Sequence, residues 1–112
     1  MNCPFLSDLI LADNLIKELH PFTFQKLTNL KVLDLSINKL HQMPQMNTLV
    51  NLEHLNLRQN NINVMENMSS LVKLKVLNLS FNRITKIEGI SNLKLLEVLE
   101  LGKNYISDTD AL

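Results

Sequence analysis

Few residues of this chain could do acid–base, metal or nucleophilic chemistry: three histidines, one cysteine and a scatter of carboxylates. His20, His41 and His54 are its imidazoles, the side chains that most often ligate zinc and carry protons near neutral pH. Asp8, Asp34 and Glu100 could serve as an acid/base pair if two of them stood roughly 5–9.5 Å apart in a pocket that separated their proton affinities. Cys3 by itself can neither build a Cys-rich zinc site nor close a disulfide within the chain. Gly89 and Gly102 are the two glycines, too few for a glycine-rich phosphate cradle. Arg58, Phe81 and Tyr105 suggest different work, because arginine and aromatic side chains are the usual anchors of binding surfaces. Which of these residues can meet depends on the elements that carry them.

Those elements are dictated by a repeat. The pattern Leu-x-x-Leu-x-Leu-x-x-Asn-x-Leu/Ile opens at Leu6, Leu30, Leu52, Leu74 and Leu96, so the first period is 24 residues and the later ones are 22. Pattern and period identify a leucine-rich repeat, whose units run to roughly 20–29 residues. The second and third leucines of each copy (Leu9 and Leu11, Leu33 and Leu35, Leu55 and Leu57, Leu77 and Leu79, Leu99 and Leu101) are two apart, so they point inward from a short strand while their neighbours point out. Asn14, Asn38, Asn60, Asn82 and Asn104 stand where the chain turns off the sheet, and a short amide there can pair backbone groups that would otherwise be buried unbonded. In the return half, Leu40, Met43, Met46 and Leu49 recur as Ile62, Met65, Met68 and Leu71, then as Ile84, Ile87, Ile90 and Leu93. An apolar residue at every third position predicts a 3₁₀-like or irregular return in place of a full α-helix. The longer first copy runs Ile16, Leu19, Phe22, Phe24 and Leu27, with Pro21 interrupting. The fold class expected is therefore α/β: a leucine-rich repeat solenoid with a short parallel sheet on its concave face, one domain over residues 1–112. No unit can cover both of its flat faces alone, so each depends on its neighbours.

Strand periodicity sorts the candidate residues. Position three of the motif carries Asp8, Val32, His54, Val76 and Val98, and position five carries Ile10, Asp34, Asn56, Asn78 and Glu100; both columns should line the concave face. Position seven gives Ala12, Ser36, Arg58, Ser80 and Gly102, and position eight gives Asp13, Ile37, Gln59, Phe81 and Lys103. Position ten adds Leu15, Lys39, Asn61, Arg83 and Tyr105 along one rim. The partner-binding set expected from these columns is Val32, Asp34, Ile37, His54, Asn56, Arg58, Val76, Asn78, Phe81, Val98, Glu100 and Tyr105. Competing readings make the valines plain strand formers, Phe81 a cover for a strand end, and Arg58 a solvated side chain. The same sorting argues against catalysis. His20 and His41 fall on the return side and His54 on the strand face, while Asp34 and Glu100 lie three strands apart, about 14 Å at about 4.8 Å per strand. No catalytic, cofactor or metal site is expected.

Eleven basic and eleven acidic residues balance, which disfavours a strong generic nucleic-acid or anionic-membrane surface. Residues 1–19 lack a basic leader region and Asp8, Asp13 and Glu18 break their apolar run; no stretch approaches about 18 apolar residues, so the reading is an intracellular chain that does not span a membrane. Asn67-Met68-Ser69 and Asn78-Leu79-Ser80 match the glycosylation sequon and, without a secretory signal, are taken as coincidental. Neither end shows a polar cap, and the last copy reaches Leu112 within its return segment, after Ser107-Asp108-Thr109-Asp110-Ala111. The expectation is a fragment or short isoform of a longer array, or a chain whose ends stack on a partner or on a second copy.

The run Leu79-Ser80-Phe81-Asn82-Arg83-Ile84-Thr85-Lys86-Ile87-Glu88-Gly89-Ile90-Ser91-Asn92-Leu93 resembles the short intracellular class of leucine-rich repeat found in protein phosphatase 1 regulatory subunit 7, the spliceosomal A-prime protein, a tubulin-folding cofactor and many ciliary and centrosomal proteins. Likeness is strongest from Leu52 to Ile106, and the Pro21-Phe22-Thr23-Phe24 stretch departs from it. The resemblance implies a regulatory or scaffolding protein-interaction module, with a phosphatase catalytic subunit or a ciliary or cytoskeletal protein as partner, in cytoplasm, nucleus or cilium. The alternative function is ribonucleoprotein or RNA binding, favoured by Lys39, Arg58, Arg83 and Lys103 near one edge, or a truncated product without independent function.

Overall fold

The computed structural model describes residues 3–107. Leu112 and the segment from Asp108 to Ala111 lie outside the described residues. Within them, each copy of the motif makes one three-residue strand: β1 (Asp8–Ile10), β2 (Val32–Asp34), β3 (His54–Asn56), β4 (Val76–Asn78) and β5 (Val98–Glu100). The strands form one parallel sheet in chain order, and every pair is in repeat register, Leu9 beside Leu33, Leu33 beside Leu55, Leu55 beside Leu77 and Leu77 beside Leu99. This is a parallel leucine-rich repeat solenoid.

Register holds well beyond the strands. The position-six N–H donates to the position-five carbonyl of the next repeat, as Leu35 does to Asn56, and the position-eight N–H to the position-seven carbonyl, as Ile37 does to Arg58 and Phe81 to Gly102. Past the asparagine the direction reverses: Asn61, Arg83 and Tyr105 donate back to Leu40, Ile62 and Ile84. Each repeat is thus tied to its neighbours on both sides of its turn.

The asparagine column is the centre of that binding. Asn82 Oδ1 accepts the N–H of Ile62 at 3.0 Å, while its Nδ2 donates to the carbonyls of Leu57 (2.9 Å), Leu79 (3.0 Å) and Ser80 (3.3 Å). Asn38, Asn60 and Asn104 repeat the arrangement. Asn14 differs: it is exposed, and its amide donates to Ala12.

Inside, the leucines at motif positions one, four and six of the second to fourth copies are sealed from solvent, and with them Leu40, Met43, Met46, Leu49, Ile62, Met65, Met68 and Leu71. Among the described residues the returns contain no helix. They consist of successive single turns whose N–H groups donate three residues back, Leu49 to Met46, Leu52 to Leu49, Leu71 to Met68 and Leu74 to Leu71, which is the 3₁₀ geometry expected from apolar residues every third position. In the first copy Phe24 and Leu27 join the core, but Phe22 does not: it is exposed and tilts against the ring of His20 at 5.4 Å between centroids. Pro21 and the two extra residues carry it outside the repeat path.

Candidate functional site

Outward-facing positions three and five stack into two parallel columns because the register is unbroken. Val32, Asp34, His54, Asn56, Val76, Asn78 and Glu100 line one shallow groove of about 240 Å³ across the face of the sheet. Val98 continues the column beyond Val76 and is 41% exposed. Seven of the twelve residues singled out from the sequence therefore share a single concavity. Ile37, Arg58, Phe81 and Tyr105 do not; they stand beyond the strand ends, on the turn and the rim.

The polar column has a structural task that the sequence columns alone did not reveal. Asp34 Oδ1 accepts the N–H of Ser36 at 2.9 Å, Asn56 Oδ1 that of Arg58 at 3.0 Å and Asn78 Oδ1 that of Ser80 at 3.0 Å. These are Asx turns, in which the side chain closes the backbone two residues on. One oxygen of each group is thereby committed to the fold, and the rest of the group is held in a fixed orientation toward the groove. Glu100 is exposed and makes no such bond. An Asp or Asn as the last residue of the strand is a readable signal for this turn.

Position eight carries a second device. Asp13, Ile37, Gln59, Phe81 and Lys103 all have φ between 55° and 60°, the left-handed region. Such a conformation is uncommon for any residue but glycine and is an outlier for β-branched Ile37. It turns the side chain outward: Ile37 is 43% exposed and Phe81 42%. Arg58 lies over the Phe81 ring with its guanidinium carbon 4.5 Å from the centroid, a cation–π contact between adjacent repeats. Tyr105 is 69% exposed at the rim. Position seven is mostly enclosed: Ser36 and Ser80 are buried and only Arg58 among the central copies reaches solvent.

Position two alternates Lys31, Glu53, Lys75 and Glu97, with Lys75 Nζ 3.6 Å from Glu53. Asp34 and Glu100 are separated by the two intervening strands β3 and β4, and among the described residues no group of three or more His, Cys, Asp and Glu is placed to share a metal ion. A second concavity, of about 480 Å³ between Lys17–Leu19 and Leu40–Gln45, opens where the longer first return diverges from the second. Of the two sequons, the Asn67 amide is engaged, its Nδ2 donating to Met43 at 3.0 Å. Among the described residues no helix is long and apolar enough to cross a membrane.

Comparison with known proteins agrees with this architecture. Residues 4–62 match the family model described as leucine rich repeat, and residues 72–112 match a second model of leucine rich repeats in two copies. No curated protein matches the sequence significantly. Among solved structures, an internalin (InlF) of Listeria monocytogenes superposes with a TM-score of 0.82 at 28% identity over 92% of this chain, and internalin C2 of the same organism with 0.83 at 30% over 93%. Toll-like receptor TLR13, solved as a complex with the RNA ssRNA13, gives 0.78 at 35% identity over 88%. The matched regions make up 30%, 45% and 15% of those chains, so this chain spans less than half the length of each. Leucine-rich repeats are in general protein-interaction modules built on an extended concave surface. With more than half of its residues inside one family model and five strands in repeat register, the chain belongs to the leucine-rich repeat family.

Proposed function

We propose that this chain is a non-catalytic protein-interaction module that holds its partner on the concave face, in a regulatory or scaffolding role inside the cell. The observation that carries this reading is the groove lined by Val32, Asp34, His54, Asn56, Val76, Asn78 and Glu100, where two outward columns meet with no covering element among the described residues. Val98 extends its apolar side, and Ile37, Phe81 with Arg58, and Tyr105 supply anchors at its margin. The resemblance to the phosphatase-regulatory class supports the regulatory role. The whole of residues 1–112 acts as one unit in this reading.

Site-specific photo-crosslinking tests it. A benzoylphenylalanine placed at His54, in the groove, should capture a partner in cells; one at Val64, exposed on the return segment, should not. Capture from Val64 alone would show that the concave face is not the binding surface. A second reading, single-stranded RNA along the rim formed by Lys39, Arg58, Arg83 and Lys103, draws on the TLR13 complex as a structural neighbour. It requires RNA affinity that falls steeply with salt.

A further inference from the structure

The zero net charge of the chain hides a segregation across this face. Columns three and five carry Asp8, Asp34 and Glu100 and no lysine or arginine, whereas positions seven, eight and ten carry Lys39, Arg58, Arg83 and Lys103 against the single Asp13. Read along the stacking axis, position five from β2 to β5 runs Asp34, Asn56, Asn78, Glu100, in adjacent strands and strict register. Because the Oδ1 atoms of Asn56 and Asn78 are tied to the N–H groups of Arg58 and Ser80, the two Nδ2 groups are the ends left to face the groove, and neither has a protein acceptor among the described residues. The row therefore presents carboxylate, amide donor, amide donor, carboxylate. Its complement is cation, acceptor, cation.

We propose that the concave groove takes an extended peptide running along the stacking axis, with lysine or arginine at positions i and i+4 meeting Asp34 and Glu100, and a backbone carbonyl between them meeting Asn56 and Asn78. This rests on the concave-face reading and specifies its partner. The dimensions agree. Three strand spacings of about 4.8 Å separate the carboxylate-bearing positions by about 14 Å, and four residues of extended chain at about 3.3 Å each span about 13 Å. Four is an even number, so both cations leave the same side of the peptide. A carbonyl oxygen midway between two donors about 4.8 Å apart lies about 2.4 Å along the row from each, within hydrogen-bond reach of both.

The test uses the whole chain and fluorescein-labelled ten-residue peptides in a Thr/Val host: one with Lys at i and i+4, one with Lys at i and i+3, one with Glu at i and i+4. Fluorescence polarisation should show the first peptide binding at least about fivefold more tightly than the other two, with an affinity that falls as salt rises. Asp34→Asn and Glu100→Gln should each weaken it about two- to fivefold. Asparagine at position 34 keeps the oxygen that accepts the Ser36 N–H, so this variant retains the turn, and circular dichroism verifies it. Equal binding of the Lys and Glu peptides, indifference to spacing, indifference to both substitutions, or no binding of any peptide would each overturn the proposal. Crosslinking from His54 together with a failed peptide assay removes the peptide chemistry and leaves the concave-face reading standing; failure of both removes both. A single-stranded oligonucleotide that displaces the Lys peptide would likewise overturn it, in favour of the nucleic-acid reading.

Discussion

One side chain in this molecule can hold two repeats together, and the cost of losing it depends on how many backbone groups it leaves unbonded. Asn82 is buried and bonds the N–H of Ile62 and the carbonyls of Leu57, Leu79 and Ser80. Replacing it with alanine strands several of these away from water, and at about 1–3 kcal/mol for each buried group left unpaired the loss should reach about 2–4 kcal/mol. Asn14, the same residue type at the same motif position, is exposed and donates only to Ala12, so Asn14→Ala should cost less than about 1 kcal/mol. Urea unfolding of the two variants followed by circular dichroism checks the contrast; equal losses would mean that the column does not work through buried backbone. Gly89 is a second residue-scale case. Its φ is 71°, and a Cβ added there would stand 3.1 Å from the carbonyl oxygen of Met65. Asn67, one repeat earlier, tolerates φ 60° by donating its amide to Met43. Gly89→Ala should therefore destabilise by about 1–3 kcal/mol, and Gly89→Asn by less, in the same unfolding experiment.

At the scale of the element, the strand and its exit turn were legible to different degrees. Leucines two apart announced the strands, their register and the columns that face out, because a period of two fixes which side chains share a face. Leu-x-x-Met spacing likewise announced tight returns, and Leu49, Leu52, Leu71 and Leu74 make the three-back bonds that such spacing implies. The left-handed turn at position eight could not be read, because Asp13, Ile37, Gln59, Phe81 and Lys103 share no residue preference and none is glycine. There the ladder decides: the position-eight N–H must reach the carbonyl of the next repeat, and neighbouring bonds impose a conformation that the side chain would not choose. Phe22 escaped for a related reason, since an apolar residue near the repeat period reads as core whether or not Pro21 has displaced it. The Asx bonds of Asp34, Asn56 and Asn78 hid behind a column that also reads as a polar surface. If the ladder forces the turn, then a residue suited to left-handed backbone should stabilise it. Ile37→Asn is expected to gain about 1 kcal/mol, read as a higher thermal midpoint, because β-branching makes Ile37 the most strained of the five. A loss of stability would mean that the half-exposed Ile37 side chain contributes more packing than its conformation costs.

For the whole molecule, the governing fact is that repeats touch only their neighbours, so stability is distributed along an axis instead of around one centre. Leu33, Leu55 and Leu77 are sealed between two repeats, while Leu9 and Leu99, on the first and last strands of the sheet, are only half-buried. Truncation should follow that gradient. Leu55→Ala removes a fully enclosed side chain and should cost about 2–5 kcal/mol, whereas Leu9→Ala, with one flank open, should cost well under half as much. The same asymmetry governs opening in the native state. Backbone amides of β3 are covered by β2 and β4, and their side-chain ties through Asn60 and Asn82 close both directions of the stack. Among the described residues, those of β1 and β5 have one covered side. Hydrogen exchange followed by mass spectrometry should therefore show protection highest for the position-six and position-eight amides Leu57 and Gln59, and progressively lower toward Leu11 and Asp13 at one end and β5 at the other. Leu55→Ala should bring the central amides down toward the terminal ones, because it weakens both interfaces that β3 makes. Leu9→Ala should lower protection mainly around β1. If instead every amide exchanged at one rate and both substitutions lowered that rate together, the molecule would open as a single unit, and the nearest-neighbour account of its stability would be wrong.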